Sequence, residues 1–316
     1  MLSIGDCIGV VERAFIAHAQ GQTVGPAVVG VHVHGGGFHA KLAGLESGAP
    51  RPVFAAKINA NFPGNPASNG LPTIQGVLGL FDASNGRVLA LMDSIEITSL
   101  RTAAATAVAA KHLAPMVTDV VICGCGEQSR HQLRALGCVR SLRRVRAFDV
   151  DVARAARFAS DIQRELDVDT SVIEDLSAAY DATVWITCTP SRRWFLGRSH
   201  VAPGSFVAAV GADNPEKQEL EPELLASNAV IADVIEQSAT IGDLHHALAA
   251  GVMQREDARG ELADVVSGRI RGRLTDDEIV IFDSTGSALQ DVAAASLTYV
   301  NAVARGDCLT IHLSDA

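Results

Sequence analysis

The sequence predicts an α/β fold: a doubly wound parallel sheet over residues 114–285, joined to an α+β unit assembled from residues 1–113 and the C-terminal segment 286–316. Three observations carry this reading. Beyond Asp119 the chain alternates short apolar runs with helical stretches, the pattern of strands buried on both faces between crossover helices. Before it, extended runs punctuated by Gly and Pro follow one amphipathic helix. A chain of 316 residues exceeds one small core and suits two.

Each element follows from its residues. Residues 5–20, "GDCIGVVERAFIAHAQ", set Ile8, Val11, Phe15 and His18 on one side at helical steps and stop near Gly21. The runs "AVVGVHVH", "FHAKLAGL", "PVFAAKINANF" and "IQGVLGLFD", then a turn at "DASNGR" before "VLALMD", predict a mostly antiparallel sheet. "TSLRTAAATAVAAKHLAP" predicts a helix of good formers that Pro115 closes. The runs "DVVICGC", "RVRAFDV", "TSVIED", "ATVWITC", "SFVAAVG", "AVIADV" and "EIVIFDS" predict the parallel strands. "SALQDVAAASLTYVNAVA" predicts a last helix of roughly five turns that returns to the first unit.

Composition excludes several function classes. A net charge of −10 argues against nucleic-acid binding, which needs clustered cations that outweigh the acids. The basic cluster from Arg140 to Arg146 reads as a solvated helix-to-strand loop. With no apolar run of about 18 residues, no membrane span is expected. Six scattered cysteines without CxxC spacing, and no secretory signal pattern, point to the cytoplasm.

The stretch "ICGCGEQS" (122–129) holds the first functional signal. Cys123 and Cys125 lack the further adjacent ligands that a metal site needs, so no metal is expected there. The glycines explain more. Gly124-x-Gly126-x-x-Ser129 follows an apolar strand and opens a helix, the context in which a Rossmann-type fold seats a pyrophosphate on a helix N-terminus. Ser129 replaces the usual third Gly or Ala. Asp149, ending the next strand 23 positions beyond Gly126, has the place of the carboxylate that meets the adenosine ribose. An acid there repels a 2′-phosphate, so NAD(H) is expected over NADP(H), with Arg146 the nearby residue arguing the other way.

Four stretches, "KINANFPGN" (57–65), "SLRTAAATAVAAKHLA" (99–114), "GADNPEKQEL" (211–220) and "FDSTGSALQD" (282–291), resemble signatures of the ornithine cyclodeaminase and mu-crystallin family, in the family's order. The resemblance implies that Lys57 and Arg101 face a substrate carboxylate, with Arg101 also near the cofactor, and that Asp213 sits beside the substrate nitrogen. It implies that Thr73, Thr102, Thr189, Lys217 and Ser284 approach the dinucleotide, that Glu127 and Gln128 occupy the pyrophosphate turn, that Val207 to Val210 line the nicotinamide side, and that Thr285 meets the substrate side chain. Two departures weaken an ornithine assignment: "TVGPAVV" lacks the family's Arg anchor, and "VHVHGGGFHAK" lacks the acid that meets a distal amine.

The side chains suit the chemistry of an α-amino or α-imino acid. Arg101 offers a bidentate fork and Lys57 a point charge for the carboxylate. Asp213 follows an apolar strand at the carboxyl edge of the sheet and is the candidate proton carrier; the same residue before Asn214-Pro215 also reads as a helix cap. Burial would raise its pKa and cations lower it. Lys41 is the candidate replacement for the missing Arg anchor. His32 and His34 read as sharing a strand face, with His39 following on the next strand, and the three as a polar strand cluster rather than a metal site. His245 and His246 read as surface helix residues, and Trp194 as a cofactor cover or a packed loop residue.

These readings converge on an NAD(H)-dependent imine reductase or amino-acid dehydrogenase. The alternatives are a cyclodeaminase using catalytic NAD⁺ and a non-catalytic binding protein. The resemblance implies a homodimer paired through the first sheet.

Overall fold

The structure is a computed structural model that describes residues 2–47 and 49–311. Helix α1 (Ile4–Ala19) starts where Ser3 Oγ accepts the Asp6 N–H, and it buries Cys7, Val11, Ala14 and Phe15. Strands β1 (Thr23–Val33), β2 (Gly36–Leu45), β3 (Val53–Asn61), β4 (Ile74–Asp82) and β5 (Val88–Asp93) form an antiparallel meander in chain order, interrupted by the single-turn α2 (Asn65–Ser68). His34 falls in the β1–β2 turn, so it does not share a strand face with His32 as the alternation suggested. Helix α3 (Ser94–Leu113) begins earlier than its run of good formers, because the Asp93 carboxylate caps the Ile95 N–H. Its stretch Ala103–Ala110 is buried throughout, which only small side chains permit for a helix wedged between two layers.

The parallel half comprises β6 (Val117–Cys123), α4 (Glu127–Gly137), β7 (Ser141–Phe148), α5 (Val152–Leu166), β8 (Asp169–Val172), β9 (Val184–Thr187), β10 (Arg192–Leu196), β11 (Phe206–Ala209), β12 (Gln218–Leu220), α6 (Pro222–Ala226), β13 (Ala229–Ala232), α7 (Ile235–Ile241), α8 (Asp243–Ala249), β14 (Gly260–Glu261), α9 (Leu262–Val266) and β15 (Val280–Asp283). Eight of the strands pair in parallel in the order β14-β13-β15-β11-β9-β6-β7-β8. All seven predicted runs are among them. The unforeseen β10 and β12 make a separate two-stranded parallel pair. Helix α10 (Ala288–Arg305) packs back onto α1, α3, β2 and β3, burying every residue from Ala288 to Ser296.

The Arg140–Arg146 cluster is not a solvated loop. Arg143, Arg144 and Arg146 belong to β7, where Arg143 and Arg144 clasp the buried Asp119, and Arg144 and Arg146 reach Asp181. Arg140 donates to the carbonyls of Lys111 and Ala114, closing the C-terminus of α3. Among the described residues no helix is long and apolar enough to cross a membrane.

Candidate active site

From β6 the chain winds outward through β7 and β8, then returns to β9 on the other side of β6. The carboxyl ends of β6 and β9 therefore bound a crevice at a topological switch point, where open α/β sheets place ligands. Gly124 makes the turn at φ +89°, and a Cβ there would stand 2.6 Å from the Cys188 carbonyl oxygen. Gly126 is different: nothing lies within 4 Å of where its Cβ would be. Helix α4 starts at Gly126 with no side-chain cap, leaving its first N–H groups directed at that open space. Ser129, the departure from the glycine pattern, is buried and donates its hydroxyl to the Gly124 carbonyl, so it braces the turn.

Asp149 directly follows β7, its Oδ2 accepting the Cys125 N–H at 2.9 Å and its Oδ1 the Asp151 N–H at 2.9 Å. Arg154 approaches it at 3.7 Å, whereas Arg146 is engaged by Asp181. Gln128 ties α4 to α3 through the Ser99 carbonyl, and Glu127 is exposed beside His131. Thr102 and Val210 are buried, and Thr73 accepts the Phe62 N–H through its carbonyl. Ser284 Oγ is buried without a hydrogen-bond partner among the described residues. Open space above Gly126, a helix start without a side-chain cap and an unpartnered buried hydroxyl fit a dinucleotide.

Beside the crevice, Lys41 and Lys57 are direct cross-strand neighbours on β2 and β3 and share one sheet face. Lys57 Nζ donates to Asp291 Oδ1 at 2.7 Å and to Thr98 Oγ1 at 3.3 Å. Arg101 Nε lies 2.8 Å from the same Asp291 oxygen without the alignment of a hydrogen bond, and its Nη1 donates to Gln290 Oε1 at 2.8 Å. Lys41 Nζ donates to the carbonyls of Thr285 and Gly286. Burial and the Arg101 charge push Lys57 down to about 7 against the pull of Asp291, and they lower Lys41 as well. Burial opposes ionisation of Asp291, yet Arg101, Lys57 and Lys41 together hold its carboxyl below the usual range. Three basic side chains thus gather at Asp291, with Asp213 and Asp233 also facing Lys41.

Asp213 stands at the β11 side of this group and pairs with Lys217 at 2.7 Å. Half of its side chain is accessible at the cleft mouth. Partial desolvation raises its pKa, but Lys217, Lys41 and His39 outweigh it, so the carboxyl is held below its ordinary value. Two residues expected in different roles, Lys217 on the dinucleotide and Asp213 on the substrate, are thus bound to each other. The Thr285 hydroxyl donates to Asp233 and accepts from Gln237, so this residue is locked in place by buried partners. His39 precedes Lys41 by two residues on the same face of β2. His246 is half-buried and meets the Lys217 carbonyl, so the two helix histidines are less superficial than their sequence suggested. Trp194 is half-exposed on β10.

Sequence reasoning missed Asp291, Gln290, Asp233 and Glu219. One signal was available: Asp291 is an acid in the first turn of an otherwise apolar, buried helix, where an unpaired charge does not persist.

The comparisons with known proteins agree over the whole chain. Residues 1–306 match the model of the ornithine cyclodeaminase/mu-crystallin family. The alanine dehydrogenase of Archaeoglobus fulgidus is 36% identical over 309 residues, 96% of this chain and 92% of that one. An archaeal alanine dehydrogenase dimer solved with bound NAD superposes with a TM-score of 0.94 at 35% identity, over 99% of this chain and 96% of that one. A Thermococcus litoralis Δ1-pyrroline-2-carboxylate reductase solved with NADH and L-proline gives 0.90 at 29% identity, over 96% and 95% of the two chains. The protein belongs to the ornithine cyclodeaminase/mu-crystallin family.

Proposed function

We propose that the chain is an NAD(H)-dependent oxidoreductase acting on the C–N bond of a small α-imino or α-amino acid, with residues 114–285 holding the dinucleotide and the remainder holding the substrate. The observation that carries this reading is the cluster of Lys41, Lys57 and Arg101 around the single Asp291, beside an open glycine turn at the sheet's carboxyl edge. A substrate carboxylate is attracted to these basic groups, and Arg101 suits two oxygens. When bound, the nicotinamide supplies or accepts the hydride at the α-carbon.

The protein's own part is the proton. In the reductive direction the substrate nitrogen gains a proton as the C=N bond becomes C–N, and in the oxidative direction it loses one. Asp213 is held ionised by Lys217, Lys41 and His39, so it is an acceptor for the proton in the oxidative direction, though the same cations lower its basicity. Lys57, with its pKa near 7, exchanges a proton at neutral pH while also meeting the carboxylate. Lys41 supplies a further basic group beside Lys57, in keeping with a role as the substrate's carboxylate anchor in place of the missing Arg.

The exposed face of the antiparallel sheet supports a homodimer, with a second copy covering Val29, Val31, Phe38, Ile58 and Val77. Six free cysteines support a reducing cytoplasmic setting.

The test is NADH consumption with a panel of 2-oxo acids plus ammonia or cyclic imines, and NADH formation from the matching amino acids. Stoichiometric change in NADH is expected, and Asp213→Asn lowers kcat about 100-fold or more while NADH binding persists. Ammonia release with catalytic NAD⁺ and no net NADH change would establish the cyclodeaminase instead. Tight NADH binding without any turnover across the panel would establish a binding protein.

A further inference from the structure

Glu219 is a fully buried carboxyl with no cation beside it among the described residues, and the proposed chemistry does not use it. It lies on β12, outside the eight-stranded sheet, yet its side chain reaches the carboxyl ends of two central strands. Oε1 accepts the Thr189 N–H at 2.6 Å and the Thr189 hydroxyl at 2.7 Å; Oε2 accepts the Thr187 hydroxyl at 2.6 Å and the Gly211 N–H at 2.8 Å. Four donors therefore converge on two oxygens, an arrangement that only an acceptor on both sides can satisfy. The strand that carries Glu219 is itself set by Asp243, whose Oδ1 accepts the N–H groups of Glu219 and Leu220 at 2.9 Å each.

The two segments it joins lead to the two halves of the site. Thr189 packs against the glycine turn, since a Cβ on Gly124 would stand 2.9 Å from Thr189 Cγ2. Gly211 precedes Asp213 by two residues, and a Cβ on it would collide with the Glu219 carboxyl at 2.5 Å. We propose that Glu219 is a positioning residue that clamps the Thr189 loop to the Gly211–Asp213 loop, fixing the gap in which the nicotinamide ring must lie against the proton carrier. This rests on reading residues 114–285 as the dinucleotide site. The adenosine and pyrophosphate end relies on Gly126, the start of α4 and Asp149, none of which bonds Glu219.

That division makes the role testable by binding as well as by turnover. Glu219→Gln places an NH₂ group where one pair of donors arrives, leaving buried donors unmet. Titrated against the full-length protein, NADH is expected to bind the variant about tenfold or more weakly, while ADP-ribose, which lacks the nicotinamide, binds within about twofold of the native protein. At saturating NADH, kcat falls about tenfold or more. Equal weakening of both ligands would reduce Glu219 to a general structural role, and unchanged NADH affinity would remove it from the site; either overturns the proposal. Should Glu219→Gln fail to fold, Thr187→Val, which deletes one donor and keeps the carboxylate, decides by the same split between the two ligands. If the native protein binds neither ligand, the dinucleotide reading itself falls, an outcome distinct from a change confined to the variants.

Discussion

Lys57 shows how far a single side chain's chemistry is set by its neighbours. An ammonium inside a sheet-and-helix interior loses its hydration, and the Arg101 charge repels it further; the Asp291 carboxylate at 2.7 Å is what keeps its pKa as high as about 7. The sign of the consequence follows. Asp291 favours the charged lysine, so its removal must lower the lysine pKa. If protonated Lys57 is needed for the reductive rate, activity falls as pH rises through about 7, and Asp291→Asn moves that alkaline limb to lower pH by about one unit or more. Measuring kcat/KM against pH for both proteins checks this, and a limb that stays in place would show that Lys57 is not the group being titrated. The cations themselves were legible in sequence only through resemblance, because Lys57 alone looks like any strand lysine. Asp291 was legible only as an acid in an apolar helix, because the partner that explains it lies more than two hundred residues earlier in the chain.

At the scale of elements, the glycine turn and the strand pattern were read well because both are local. Continuous apolar runs gave seven of the eight strands of the parallel sheet, and the eighth, β14, has only two residues, too few to carry a pattern. Strands β10 and β12 escaped for another reason: "RRWFL" and "QEL" are short, polar at their starts and paired only with each other. The turn between β6 and α4 allows a sharper test of what its two glycines do. Gly124 is held by backbone geometry, at φ +89° with a carbonyl oxygen 2.6 Å from any Cβ. Gly124→Ala is therefore expected to lower the melting temperature by several degrees, a loss of about 1–3 kcal/mol. Gly126 has extended backbone angles and open space, so Gly126→Ala should leave the melting temperature within about a degree while weakening NADH about tenfold or more. Thermal melts and NADH fluorescence titrations on the pair separate the two roles. Equal effects of both substitutions on stability would mean that the space over Gly126 is not a ligand cradle.

At the scale of the whole molecule, the antiparallel sheet has two faces with opposite duties. One carries Lys41, Lys57, His39 and Asn59 toward the site and the buried Ala43, Ala55 and Leu80 against the helices. The other is an almost wholly apolar surface in register: Val29, Ala40, Ile58 and Val77 form one row across four strands, and Val31, Phe38 and Ala60 form the next. Val29 is 57% exposed, Ile58 47% and Val77 44%, a row of open apolar side chains of the kind that marks an interaction surface. In the proposed homodimer a two-fold partner would bury that face against itself, and side chains in the central row would then meet their own copies. Ile58→Glu puts an anion into that apolar row, where in the proposed dimer it would meet its own copy. The dimer should dissociate, and light scattering should give the mass of one chain rather than two. Because residue 58 projects from the opposite face to Lys57, the monomeric variant keeps NADH affinity while turnover drops, since β3 loses the support that holds Lys57 steady. An unchanged mass, or a native protein that is already monomeric, would show that this face is covered by something other than a second copy.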